Sequence, residues 1–241
     1  MSPKSPFAVA AAAAAFLSMS STAAVIAQWS VVAPIPSGSV GSNFAVGAAD
    51  AGEQTAGTGL RGYHALATTV WSTPAGNGST YAFSSNGWSV GDYYEVSVPT
   101  SGFNGGNGGS AGWLGTDISL SWDQTRSSTG PSNFRVDMST DGTNFTTLLA
   151  SYTVIQAGAS GSNTLSWSTT AGVQSAFTRT ISSIAGADNQ STLVFRFVNL
   201  STVAAAGTNR IDNIVVSGTL VPAPGAVALL AVAGLVSRRR R

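Results

Sequence analysis

Asn133-Phe134-Arg135-Val136-Asp137-Met138-Ser139, continued by Thr140-Asp141-Gly142-Thr143-Asn144-Phe145, decides the fold class of this 241-residue chain. Phe134, Val136 and Met138 alternate with Arg135, Asp137 and Ser139, a period of two that puts the apolar side chains on one face of an extended strand. Asp141-Gly142 is a turn pair that tolerates positive φ. Residues 144–154 then return with Phe145, Leu148, Tyr152 and Val154. The pattern predicts an antiparallel hairpin with Asp141-Gly142 at its tip.

The same alternation extends outward. Across 116–125, Ile118, Leu120 and Trp122 share one face, and Ser119, Ser121 and Asp123 share the other. Further strands are expected at 63–70, 79–84, 92–98, 163–168, 176–181, 192–200 and 209–218. No segment between 28 and 220 carries an amphipathic helical pattern of about twelve residues. About nine or ten short strands joined by Gly-, Ser- and Asn-rich turns predict an all-β antiparallel β-sandwich over residues 28–220, arranged as a jelly roll. Residues 33–42 read as a flexible lead-in. The Gly-rich stretch 102–112 reads as a surface loop, since no Lys-Ser/Thr pair or strand-to-helix setting makes it a phosphate loop.

The two ends read as addresses. Lys4 precedes an uncharged, Ala-rich stretch, and Val25-Ile26-Ala27 supplies small or branched residues before a cut. Residues 1–27 are therefore expected to be a signal peptide, cleaved by signal peptidase between Ala27 and Gln28. At the other end stand Val221, Pro222, Ala223, Pro224 and Gly225, an apolar run to Val236, Ser237, and then Arg238, Arg239, Arg240 and Arg241. As a helix, 225–236 covers ~18 Å at 1.5 Å per residue. A bilayer core is ~30 Å, so this transmembrane helix must draw in its flanks or thin the bilayer. The arginines keep their end cytoplasmic.

Residues 221–241 resemble the PEP-CTERM sorting signal, with Pro222-Ala223-Pro224 standing where that family has Pro-Glu-Pro. The resemblance implies an exosortase-like processing enzyme and membrane contact through the C-terminal helix before processing. It also implies delivery to a bacterial cell envelope or surface, or release from it. The stretches 127–145 and 207–214 resemble galactose-binding-like jelly-roll domains of bacterial surface proteins, a likeness spanning roughly 81–218. That resemblance implies a structural calcium near the junction of first and last strands. Glu53 lies near the first strand and Asp212 in the last, and hard oxygen ligands suit the ion. No other cofactor is indicated.

Residues 28–224 hold six arginines, no lysine and ten carboxylates, a net charge of −4, so the two ends make the chain's +1. This argues against nucleic acid as a partner, which needs a basic patch. The absence of cysteine removes disulfides, thiol chemistry and Cys-based zinc sites.

Candidate chemistry is sparse. His64 is the single histidine; it could serve as a base beside Ser or Asp, but no Gly-x-Ser-x-Gly motif accompanies it, and it reads as a sheet residue. Glu95, Asp123 and Asp137 read as carboxylates on solvated strand faces or turn caps; a glycoside hydrolase would need two of them ~5–10 Å apart across a cleft. Trp122 and Trp167 belong to the core pattern. Trp88 and Trp113 sit in Gly-rich loops and could stack on sugar rings, or fold over a sheet end. The expectation is an exported, non-catalytic surface or extracellular-matrix protein acting by adhesion or association with extracellular polysaccharide. Net negative charge points to a neutral polymer. The alternatives are a secreted glycan-active hydrolase and a structural surface protein with no specific ligand.

Overall fold

The computed structural model describes residues 23–101, 118–158 and 165–219. These form two sheets packed face to face. In the first, β7 (Ser119–Arg126) and β13 (Asn209–Thr219) pair antiparallel at the centre. The far edge of β13 takes β1 (Ala23–Trp29) along one half and β5 (Phe83–Ser85) along the other, with β4 (Trp71–Ser72) beyond β5. The far edge of β7 takes β11 (Thr178–Ile181) and the short parallel strand β10 (Ile155–Gln156). The second sheet runs β2 (Asn43–Gly47), β3 (Gly59–Tyr63), β6 (Tyr93–Val98), β12 (Leu193–Asn199), β8 (Asn133–Ser139) and β9 (Thr146–Thr153), antiparallel throughout.

Alternation assigns the faces. Tyr94, Val96 and Val98 of β6, Phe195 and Phe197 of β12, and Phe134 and Val136 of β8 are buried against Leu120 and Trp122 of β7 and Ile211, Ile214 and Val216 of β13. Each such side chain contributes about 1.5–3 kcal/mol on burial. At the β3 end, Gly62 lies under Trp71, and a Cβ there would meet the indole at 2.4 Å. That bare position lets Trp71 stack on Phe83 at 5.3 Å between ring centroids.

The hairpin forms between β8 and β9, but residues 140–145 make a broader tip than a two-residue turn. The Asp141 carboxylate accepts the N–H groups of Thr143 and Asn144 at 2.8 and 2.7 Å, which holds its carboxyl well below the usual range. Gly142 supplies the left-handed residue, φ +74°. Strands β6, β8, β12 and β13 lie within two residues of expectation. The strand expected at 63–70 instead ends at Tyr63, and residues 165–168 of the one expected at 163–168 form no strand. Residues 33–42 connect β1 to β2 and lead into nothing.

β1 is an interior strand. Its register runs from Ala23↔Thr219 to Trp29↔Ile214. On its other side Gln54 N–H donates to the Ile26 carbonyl and Gln28 N–H to that of Ala51. Ile26 and Ala27 are fully buried. The bond between Ala27 and Gln28 therefore lies inside the sheet. Trp113 and the sorting motif from Val221 to Arg241 lie outside the described residues, as does most of the leader. Among the described residues no helix is long and apolar enough to cross a membrane.

Candidate functional site

The outer face of the second sheet carries a row of charges across four strands. Register places Arg61 (β3) opposite Glu95 (β6), Glu95 opposite Arg196 (β12), and Arg196 opposite Asp137 (β8). Arg196 Nε donates to Glu95 at 2.8 Å, and Arg61 Nε stands 3.9 Å from the same carboxylate. Arg135 Nε donates to Asp137 at 2.8 Å, and Thr147 donates to its other oxygen. The carboxylates are buried although they face away from the core, 8% exposed for Glu95 and 5% for Asp137. The expectation of solvated strand faces is corrected here. The arginine stems lie over the acids and exclude water.

A second row, one step along, places Tyr63 (β3) beside Tyr93 (β6), then Val198 and Arg135. The two phenol rings stack at 5.0 Å. The Arg196 guanidinium lies 4.3 Å from the Tyr93 centroid and 3.8 Å from that of Phe145, reaching over from the β8–β9 connection. Tyr63, Tyr93, Arg196 and Phe145 thus form one continuous ridge of stacked planar groups. Tyr93 contacts both the Tyr63 ring and the Arg196 guanidinium. Tyr63 has no ring or cation on its second face among the described residues, and its hydroxyl accepts a hydrogen bond from Arg61 Nη1 at 3.2 Å. The ridge therefore combines an aromatic face with outward N–H donors, phenol hydroxyls and carboxylate acceptors. Sugars require that mixture, since each has both C–H faces and hydroxyl edges.

His64 does meet a serine and an aspartate, which its sequence context did not indicate. Ser85 Oγ lies 3.2 Å from His64 Nε2, and Asp92 Oδ2 lies 3.3 Å from Nδ1. The order Ser–His–Asp is that of a nucleophilic triad. Its surroundings do another job. The His64 side chain is fully buried and Ser85 is 1% exposed. Ser85 also contacts the Tyr94 hydroxyl at 3.2 Å, and Asp92 accepts the N–H groups of Ala65 and Ser89. A cleft of about 340 Å³ nearby is lined by Leu66, Trp88, Val90 and Val203, among others, but by neither Ser85 nor His64. The network pins the 64–69 and 86–92 connections to the core, which supports the reading of His64 as structural.

Burial pushes the His64 pKa down, with Asp92 opposing. The folded value then lies below the ordinary 6.5. As pH falls, the unfolded chain takes the proton first, so this contribution is complete above 6.5 and is lost as pH drops through 6.5 toward the folded value. Asp212, whose raised pKa acts in the opposite direction over the same range, is common to wild type and a His64 variant, so the His64 contribution is read as the difference between their denaturant midpoints from pH 7.5 to pH 5. The wild-type midpoint should drop relative to that of His64→Gln as pH is lowered; an unchanged difference would contradict the assignment.

The calcium expectation meets a different arrangement. Asp212 sits directly opposite Asp123 on the outer face of the first sheet, 0% and 2% exposed. Asn77 plugs the pair: its backbone N–H donates to Asp212 at 2.9 Å and its amide to Asp123 at 2.8 Å. Ser79 donates to Asp212, while Asn213 and Thr178 donate to Asp123. Burial raises the Asp212 pKa to about 7. One carboxylate oxygen, Asp212 Oδ1, has no hydrogen-bond partner among the described residues. The other three face N–H and O–H donors rather than the six to eight oxygens that calcium takes. Glu53 is exposed, and its N–H pairs with Val25, which stands opposite Ser217, five residues along β13 from Asp212. Glu53 and Asp212 are not brought together, and the residues present do not fit calcium. Among the described residues no group of three or more His, Asp or Glu could hold a metal.

The Trp expectations divide. Trp122 and Trp167 are buried as expected. Trp88 is corrected: it is 4% exposed, donates to the Ser85 carbonyl at 3.1 Å, and packs edge-on against Tyr94 and Phe134. A ring held that way has no face to offer a sugar. The aromatics that are available, Tyr63 and Phe145, were not singled out from the sequence.

No family model matches the chain, and no curated protein matches it. Among solved structures it is similar to the K2 cleaved adhesin domain of Lys-gingipain, at 18% identity and a TM-score of 0.36, covering 72% of this chain and 98% of that one. It is also similar to the CBM22-1 xylan-binding domain of Paenibacillus barcinonensis Xyn10C, at 8% identity and a TM-score of 0.38, covering 83% and 96%. A family 11 carbohydrate-binding module from Clostridium thermocellum, in complex with a β-1,3-1,4-mixed-linked tetrasaccharide, aligns at 13% identity and a TM-score of 0.35, covering 81% and 98%. Likenesses this distant leave function to the chain's own residues.

Proposed function

We propose that this chain is an exported, non-catalytic β-sandwich of jelly-roll type that holds polysaccharide on the outer face of its second sheet. The observation that carries the reading is the ridge of Tyr63, Tyr93, Arg196 and Phe145 flanked by the Arg61–Glu95–Arg196–Asp137 row. A hydrolase is less well supported. Glu95 and Asp137 are both ion-paired and buried, whereas a general acid must reach the leaving oxygen as a proton donor. Asp123 and Asp212 are sealed under Asn77. Affinity electrophoresis of the full chain against a polysaccharide panel tests the reading. Tyr63→Ala should weaken binding roughly tenfold, about 1.4 kcal/mol, with unfolding little changed. Unaltered binding in that variant would remove the ridge from consideration.

Export rests on the leader pattern and the PEP-CTERM-like end, which would pass the chain through the membrane to an exosortase-like enzyme. The buried state of Ile26 and Ala27 supports a cut near the start of β1. Ser21 and Ala23 stand three and one residues before the bond to Ala24, and both are small. Intact mass of the processed protein should give an N-terminus at Ala24. An N-terminus at Gln28 would mean that the sheet forms without most of β1.

A further inference from the structure

We infer that the polymer held on the second sheet is acidic, a polysaccharide carrying uronic acid carboxylates; this rests on the polysaccharide reading above. Net charge alone suggests the opposite, because residues 28–224 carry −4. The charges are unevenly placed. On the paired strands β3, β6, β12 and β8 this face carries Arg61, Arg135 and Arg196 against Glu95 and Asp137, with Asp141 beyond them at the hairpin tip. The site is locally cationic on an anionic domain, and a bound group senses the charges within a Debye length of it, ~8 Å at physiological salt.

The arginines also have unused donors. Arg196 is committed: its Nε holds Glu95 and its plane lies between Tyr93 and Phe145. Arg135 spends only its Nε, on Asp137, and its side chain is 41% exposed. Arg61 is 45% exposed; it touches Glu95 at the long distance of 3.9 Å and the Tyr63 hydroxyl through Nη1. Among the described residues, Arg61 Nη2 and both Nη groups of Arg135 have no partner. A guanidinium with paired outward N–H groups binds a carboxylate through two parallel hydrogen bonds, and neutral hydroxyls use that geometry less well.

Placement fits a chain rather than one sugar. Arg61 on β3 and Arg135 on β8 are three strand spacings apart, ~14 Å at ~4.8 Å each. Tyr63 and Tyr93 lie toward one end of that line. A polymer laid across the strands would stack a ring on Tyr63 and present a carboxylate at each arginine. Glu95 keeps Arg196 when Arg61 is removed. Arg135 is the ion-pair partner of Asp137, so a variant there must keep a cation.

The test uses the full-length chain, with polygalacturonate, its methyl-esterified form and a neutral xylan as probes. The free acid should bind at least tenfold tighter than the ester, and that preference should shrink as NaCl rises. Arg61→Gln should lower affinity for the acid about tenfold and for the ester by less, so that the preference for the acid shrinks. Arg135→Lys keeps a cation beside Asp137 but lacks the fork, and should lose several-fold on the acid alone. A second readout, the thermal unfolding midpoint, should stay within a few degrees of wild type for both variants. Equal or tighter binding of the ester or the xylan would overturn the acidic inference and leave the polysaccharide reading standing. Binding to none of the three would overturn both.

Discussion

Arg196→Met is expected to lower folding stability by about 3 kcal/mol and to abolish polysaccharide binding in the same step. Its guanidinium has two duties. It is the close partner of Glu95, at 2.8 Å, and Glu95 is 8% exposed. Removing one member of a buried pair leaves the other uncompensated, a loss of about 3–5 kcal/mol; Arg61 at 3.9 Å keeps the cost at the lower end. The same group is the third layer of the ridge, so its loss lets Tyr93 and Phe145 separate. The double variant Glu95→Gln, Arg196→Met removes the orphaned charge. It should recover much of the stability and none of the binding. Urea denaturation and affinity electrophoresis on the three proteins check this. A double variant that regains binding would show that the cation is not part of the site.

The second large effect lies in the core. Trp122→Ala should cost about 3–5 kcal/mol, on the order of 10 °C in Tm for a domain of this size. The Trp122 indole, fully buried on the first sheet, meets Phe197 at 5.0 Å and Tyr152 at 5.3 Å on the second. Beside it the Tyr152 hydroxyl donates to Gln124, which donates in turn to Asn209. Truncation would open a cavity between the sheets and strip packing from this polar bridge. A Tm within about two degrees of wild type would mean that the sheets are joined elsewhere.

Much of the architecture was legible because several strands carry one apolar face. β8 shows this in Phe134, Val136 and Met138, and β12 in Phe195 and Phe197. Strands without that signature were missed. β1 lies where an Ala-rich leader grades into Ala23-Ala24-Val25-Ile26-Ala27, and its strand character comes from β13 and residues 50–54 on its two sides. The site was illegible for a related reason. Arg61, Glu95, Arg196 and Asp137 come from strands far apart in the chain, and only the register between non-consecutive strands makes them one row. Trp88 misled because Gly87 does take a left-handed conformation, φ +64°, yet the chain there sends the indole inward onto Tyr94 and Phe134. A loop position says where the backbone runs, and the large apolar area of Trp decides where the ring goes.

The most direct test of the central claim is an NMR titration of the chain with an oligosaccharide that it binds, following the Arg Nε–H signals and the Tyr ring signals. The account predicts progressive shifts at Arg61, Arg135, Arg196, Tyr63 and Tyr93, while the buried Trp122 indole and the Asn77–Asp123–Asp212 plug stay unmoved. Shifts confined to the first sheet, or to the cleft of Leu66, Val90 and Val203, with the three arginines silent, would contradict it.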